Sequence, residues 1–342
     1  MKKYFIGIDF SKKKFDAVIL THQDLNAEGE HSVFENNKSG FKRFVCWVKK
    51  KTGTQDGREV LICGENTGVY SQLASEYLYC AGYDLWIESG LQIKKSLGIR
   101  RGKDDHSDAR DIAEYCGRHA DKAKLYKPES KQIQALKYLF SHHRMLVKHK
   151  GDFDRRIGET KESIKDNPFL QDILQSYEEL VAKLKEEIKN TIKKMLEIIK
   201  NTAELMKTYT IITGIKGIGP INAVAIIVST NNFHKFGYNP RKLASYWGIA
   251  PFKKQSGTSL NGKPHVSGYA ASYLKSLLSE AVLCATRYCP PIKAYYERLK
   301  AKDKHPLVIL NNCKNKLIHI IAAMVKNDTQ FTLTPNTLNM EK

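Results

Sequence analysis

The segment "EVLICGE" at 59–65 constrains this chain more than any other. It is a short, almost continuous apolar run that closes on an acid, the pattern of a strand buried on both faces. Such a strand needs partners beside it and helices above and below it. The partners are legible upstream. "YFIGID" and "FDAVIL" are two apolar strands joined through "FSKKK", which predicts a β-hairpin over residues 1–20. A third strand is expected around His31–Phe34 and another at "YDLWIE" (83–88). Helical spacing over Lys38–Lys51 puts Phe41, Phe44, Val45 and Val48 on one face. Further helices are expected at Tyr70–Cys80, about 90–97 and 106–118. Strands first, then alternating strand and helix, give a mixed α/β layer over residues 1–125.

The pattern changes from Lys131 to about Lys207. Ile133, Leu136, Phe140, His143 and Val147 step by three or four, and Phe153, Ile157 and Ile164 continue the stripe. "KDNP" (165–168) interrupts it, because Pro168 disfavours helix at Asn167. A second stripe follows through Tyr177, Leu180, Leu184, Ile188, Met195 and Ile199. Two long amphipathic helices about a tight break over 126–207 predict an antiparallel coiled-coil hairpin, with an ordinary helical bundle as the alternative. A third region, 208–328, opens with "GIKGIGPINAVAII" (214–227) and ends in helices near 274–288 and 307–326. Its Gly-rich turn before an apolar helix reads as a phosphate-gripping helix-hairpin-helix element or as a plain tight turn. Residues 329–342 form a polar tail.

Charge narrows the partners. Lys and Arg number 56 against 36 Asp and Glu, a formal charge of +20. That excess suits a polyanion, nucleic acid being the commonest. Apolar runs such as "AVAIIV" (223–228) are far too short to span a bilayer, so no membrane partner is expected. Seven cysteines without a C-x-x-C pair suit reduced thiols in a cytoplasm. Lys94, Lys95, Arg100, Arg101 and Lys103 crowd ten residues before the first acid at Asp104. "HKFGYNPRK" (234–242) interleaves Phe236 and Tyr238 with Lys235, Arg241 and Lys242, a mixture suited to RNA loops or unstacked bases. With Lys216, Lys253 and Lys254 these are the expected nucleic-acid contacts, against the alternative of solvated surface.

Acids supply the chemistry. Asp9 ends the first strand and Glu65 a central one; Asp105 and Asp108, three apart at a helix start, share one side of it. Each has an ordinary explanation as a turn residue, a cap or a partner of the helix dipole. Together they fall where a ribonuclease-H-like nuclease needs them. Carboxylates converging at one sheet edge repel unless a divalent cation neutralises them, and hard oxygen donors suit Mg²⁺ or Mn²⁺.

These residues carry a resemblance. "GIDFSKKKFD", "GENTGVYSQLASEYLYCAGY" and "RRGKDDHSDARDIAEY" resemble the three acidic motifs of the DEDD transposases of insertion sequences, relatives of Piv-type invertases and of bridge-RNA-guided recombinases. "GIKGIGPINAVAII" and "LASYWGIAPFKKQSG" resemble that family's C-terminal domain, whose Ser-Gly carries a nucleophilic serine and so points to Ser256. The resemblance implies a ribonuclease-H/RuvC-like domain (1–125), a coiled-coil dimerisation hairpin (126–207) and a small helical transposase domain (208–328). It implies DNA cut and rejoined through a serine–phosphodiester intermediate, with Mg²⁺ (or Mn²⁺) held by Asp9, Glu65, Asp105 and Asp108. It implies a structured non-coding guide RNA, donor and target DNA, and dimers that assemble into a tetramer whose acids and serine come from different subunits. A bacterial or archaeal cytoplasm, at the nucleoid, follows from such a role. Departures are Asp104, where the family has threonine, and Gly268, Ala270 and Lys275 in "VSGYAASYLK" (266–275).

A serine ester stores the phosphodiester bond energy for re-ligation. No His–Asp pair lies near Ser256 in sequence to activate it, and "KKQSGTS" (253–259) also reads as a polar turn, with Ser259 and Ser267 as alternative nucleophiles. Two other functions stay open on sequence: a metal-dependent, structure-specific nuclease in which water attacks, and a non-catalytic nucleic-acid-binding protein. A sugar-kinase-like ATPase is disfavoured, because Phe10 and Ser11 follow the "GID" strand in place of a glycine-containing phosphate turn.

Overall fold

The computed structural model describes residues 2–98, 104–164, 167–256, 260–266, 268, 270 and 272–331, with backbone alone at 168, 253–256, 260, 261, 263 and 264. The chain divides into two compact units, Met1–Pro128 and Glu129–Lys342.

In the first unit, β1 (Tyr4–Phe10) pairs antiparallel with β2 (Lys14–Thr21), and β2 with β3 (Glu30–Glu35). Helix α1 (Lys38–Thr52) follows, started by the Asn37 side chain, which accepts from the Gly40 N–H at 2.9 Å. Strand β4 (Val60–Glu65) lies parallel to β1. Beyond α2 (Val69–Cys80), β5 (Asp84–Glu88) lies parallel to β4, and α3 (Gly90–Ser96) and α4 (Asp105–Arg118) complete the unit. The sheet order is β3-β2-β1-β4-β5, which makes β4 the interior strand expected from "EVLICGE".

The two faces of this sheet are covered differently. One carries Ile6, Ile8, Phe10, Phe15, Ala17, Ile62 and Leu85 against Phe41 and Phe44 of α1 and Ala74 and Leu78 of α2. Phe15 stands at its centre, 1% exposed, with ring centroids of Phe34, Phe41 and Phe44 at 5.4, 6.0 and 5.6 Å. Burial of one such ring contributes about 1.5–3 kcal/mol. The other face is covered by α4. Val18 and Leu20 meet Ala109 and Ala113, and Phe5, Leu61, Cys63 and Trp86 meet Ile112, Tyr115 and Cys116. The small residues let helix and sheet approach closely. A Cβ at Gly7 would lie 2.1 Å from the Ala109 carbonyl oxygen and 2.2 Å from the Ala113 nitrogen.

In the second unit, α5 (Lys131–Ile164) and α6 (Gln171–Lys200) form an antiparallel helical hairpin joined through a 3-10 turn at Pro168–Leu170. The Lys161–Glu178 ion pair at 2.9 Å and the Phe153–Tyr177 ring contact at 5.8 Å tie its distal end. Its buried stripe differs from the expected one in phase, and also takes in Leu174 and Thr191. Leu146 is buried where Val147 was expected, and Val181 where Leu180 was expected; Val147 and Leu180 are exposed. Runs of adjacent apolar residues offer two phases, and the partner helix selects one.

After α6 come α7 (Ala203–Thr213), α8 (Pro220–Thr230), α9 (Pro240–Tyr246), the two-stranded ladder β6 (Pro251–Ser256) and β7 (Leu260–Val266), then α10 (Ser272–Tyr288), α11 (Pro290–Lys300) and α12 (Pro306–Asn327). The base of the hairpin shares a core with these helices: Ile133, Leu136, Met195 and Ile199 join Ile212, Ile227, Val282 and Leu317. The expected boundary at residue 207 therefore falls within α7. All seven cysteines are free thiols. No described helix is long and apolar enough to cross a membrane.

The close approach at Gly7 gives a test. Gly7→Ala should lower unfolding stability by at least about 2 kcal/mol in urea titrations, because backbone must move. Gly158→Ala, on an open face of α5, should raise it by about 0.5–1 kcal/mol.

Candidate active site

Strand parity places the acids. Asp9 lies opposite Asp16 in the β1–β2 register, and both fall on the sheet face that α4 covers. Glu65 continues the Leu61–Cys63 row on that same face at the end of β4. Because β1 and β4 are parallel, Asp9 and Glu65 leave the sheet at the same edge. Helix α4 begins above that edge, and its first turn carries Asp105 and Asp108.

Asp104 has a different task. It is the N-cap of α4: its carboxylate accepts from the Ser107 N–H at 2.8 Å, while the Ser107 hydroxyl lies 3.1 Å from the Asp104 nitrogen in a reciprocal capping box. Hydrogen bonding from Ser107 holds its pKa below the usual carboxylate value. The extra acid of this chain thus starts the helix that presents the next two.

The cluster is electrostatically unbalanced. Partial burial first, then the charges of Asp108, Glu65, Asp105 and Asp16, push the Asp9 carboxyl from 3.8 up to about 6. Lys14 supplies some compensation. Its ammonium lies 2.7 Å from Asp105 and 3.4 Å from Asp16, and its hydrogen bond to Asp105 raises its own pKa. Close packing holds Glu65 in place, since a Cβ at Gly90 would meet its Oε1 at 2.0 Å. Asp16 is 5% exposed, with His31 Nε2 3.0 Å from its Oδ1; the His31 ring stands edge-on to His106 at 4.5 Å. Sequence reading passed over Asp16, His31 and His106. The signal for Asp16 was its place in the strand facing Asp9.

All-oxygen donors and uncompensated negative charge fit a hard divalent cation at Asp9, Glu65, Asp105 and Asp108. As the side chains stand, no three His, Cys, Asp or Glu residues among the described ones are grouped closely enough to hold a metal ion, and Lys14 pairs with Asp105. Loading would require the carboxylates to draw inward and Asp105 to exchange its lysine.

The other expected residues divide. Lys94 and Lys95 lie exposed in the last turn of α3, while Arg100, Arg101 and Lys103 lie outside the described residues. Lys216 is exposed in the turn before α8. Lys235 lies over the Tyr246 ring at 4.4 Å and the Phe236 ring at 5.4 Å, and Arg241 and Lys242 are exposed at the start of α9. Ser256 is the last residue of β6, paired in register with Leu260. Its side chain and those of Lys253 and Lys254 lie outside the description, as do Ser259 and Ser267.

Comparison with known proteins decides the family. A DEDD transposase model of the IS110 type matches residues 6–164, and a model described as transposase IS116/IS110/IS902 family matches 209–297. The chain is a DEDD transposase of the IS110 family. Over 339 residues it is 26% identical to the pilin gene-inverting protein of Moraxella bovis, covering 97% of this chain and 98% of that protein. The Moraxella lacunata counterpart matches over the same length and identity. An uncharacterized 43.6 kDa protein of insertion element IS110 from Streptomyces coelicolor is 28% identical over 121 residues, 35% of this chain and 29% of that protein. The transposase is accordingly an enzyme that recombines DNA. Its first matched segment contains every acid of the cluster, and its second contains Ser256.

The raised Asp9 pKa has a signed consequence. A carboxyl that titrates near 6 when folded but near 3.8 when unfolded costs stability above pH about 6 and nothing below about 4. Asp9→Asn should therefore stabilise the metal-free transposase at pH 7.5 by about 1 kcal/mol, after discounting for solvent screening. The gain should vanish as the pH falls towards about 4 in urea titrations.

Proposed function

We propose that this transposase cuts and rejoins DNA through a covalent serine ester, using Asp9, Glu65, Asp105 and Asp108 to hold Mg²⁺ or Mn²⁺ and Ser256 as the nucleophile. The observation that carries the reading is the convergence of those carboxylates at one sheet edge, where partial burial first and the neighbouring acids second push Asp9 to about 6. Bound there, the cation would polarise the scissile phosphate and lower the pKa of an attacking hydroxyl.

In this reading the Ser256 hydroxyl oxygen forms the bond to phosphorus and gives up its proton. The bond from phosphorus to one deoxyribose oxygen breaks, and that oxygen leaves as a hydroxyl. Attack by a hydroxyl of the incoming strand reverses the step, restores a phosphodiester and frees the serine, with no external energy source. The family's way of assembling acids and serine from different subunits supports a tetramer built from dimers, with the α5–α6 hairpin as its coiled-coil contact. The +20 charge and the exposed Lys94, Lys95, Lys216, Arg241 and Lys242 support donor DNA, target DNA and a structured guide RNA as partners.

Recombination of supercoiled plasmids, followed by denaturing gels, tests the chemistry. Ser256→Ala should remove the protein–DNA adduct and reduce strand exchange about a thousandfold or more. Asp9→Ala and Asp105→Ala should each do the same to Mg²⁺-dependent cleavage. Full exchange by Ser256→Ala would remove the serine assignment, and cleavage without an adduct would identify a water-attacking nuclease.

A further inference from the structure

A pocket of about 510 Å³ opens in the second unit between the loop before α9 and the last turns of α12. Its lining comprises Gly237, Tyr238, Asn239, Pro240 and Arg241 from the loop side, and His319, Ala322, Ala323 and Lys326 from α12. No acid is among them. Two features divide the pocket chemically. Pro240, Ala322 and Ala323 make an apolar floor with Tyr238 as an aromatic wall, while Arg241 and Lys326 bring cations to it.

The wall is built with care. Tyr238 has φ of +59°, a conformation that L side chains rarely adopt, and Gly237 before it has φ of +57°. The tyrosine ring stacks on the buried Phe233 at 5.8 Å with an interplanar angle of 7°. That stacking offsets the backbone strain and fixes the ring. Among the described residues neither Arg241 nor Lys326 makes an ion pair. Burial, then the charges of Arg241 and Lys316, push the His319 imidazole below its usual pKa. It is thus an uncharged ring at neutral pH, able to donate one hydrogen bond and accept another.

We propose that this pocket binds one unpaired nucleotide of a nucleic-acid strand, its base over the Ala322–Ala323 floor and beside Tyr238, its phosphate on Arg241 and Lys326. The volume suits a small-molecule-sized guest. A free anion would leave the apolar floor and aromatic wall without use, and a stacked duplex keeps its bases out of reach. The inference rests on the reading of the chain as a nucleic-acid recombinase and adds a site outside its acidic edge.

Fluorescence anisotropy with labelled mixed-sequence single-stranded RNA, single-stranded DNA and duplex DNA tests it on the full chain. Ala323→Leu fills the floor without touching charge and should weaken single-strand binding about tenfold, the worth of one stacked base, leaving duplex binding within twofold. Arg241→Gln, at an exposed position, should weaken single-strand binding more than duplex binding. Loss confined to RNA assigns the pocket to a guide strand; equal loss on RNA and DNA assigns it to any unpaired strand. Unchanged single-strand binding in both variants, or equal losses on strand and duplex, would overturn the pocket. Plasmid recombination by Ala323→Leu separates this from the proposed chemistry. Intact single-strand binding with normal recombination removes the pocket alone, whereas absent adducts in wild type remove the serine chemistry alone.

Discussion

Gly7 lets α4 sit so close to the sheet that Ala109 and Ala113 backbone atoms occupy the space a side chain would take. That contact sets the height and direction of the helix over β1 and β2. Asp105 and Asp108 then have little choice but to begin their helix above the edge where Asp9 and Glu65 emerge. Each carboxylate would be more comfortable in water. Packing of Val18, Leu20, Leu61 and Cys63 under Ala109, Ile112, Ala113 and Cys116 holds them together against their repulsion.

The strain in that arrangement is visible in the groups around it. Asp9 is driven towards its protonated form, Lys14 leans across to Asp105 and Asp16, and Asp16 borrows His31. Lys14 is a flexible cation that Asp105 can exchange for a harder one under the proposed function, whereas Asp16 is buried and held by the exposed His31 at 3.0 Å. Unfavourable charge clusters held by a rigid scaffold are a common mark of catalytic function, and this one lies within the segment that matches the DEDD transposase model.

Much of the first unit was legible in sequence, because strands with short turns and clear apolar runs leave few alternatives. "EVLICGE" announced an interior strand, and parity then placed Asp9 and Glu65 on one face. The second unit was less legible. No helix was expected over residues 290–300, which begin with two prolines; proline is at home in the first helical turn, where its missing N–H has no partner to lose, and α11 starts there. Helix α9 and the β6–β7 ladder are short and polar, and α9 draws its order from the core through Leu243. Along α5 and α6, adjacent apolar residues left the phase of the stripe to the partner helix. Asp104 changed most: the acid that stands where the family has threonine is the cap that starts α4. Asp16 and its histidines escaped notice because their meeting depends on the β2–β3 pairing, which no local spacing reveals.

The account centres on carboxylates forced together at one edge and relieved by a cation. An NMR titration of the isotopically labelled Asp9 side chain, run without and with Mg²⁺, addresses that centre directly. The account predicts a midpoint near 6 in the metal-free protein and a fall below the ordinary aspartate value once Mg²⁺ is added. A midpoint near 3.8 that Mg²⁺ does not move would contradict it, because Asp9 would then feel neither its burial nor the other acids.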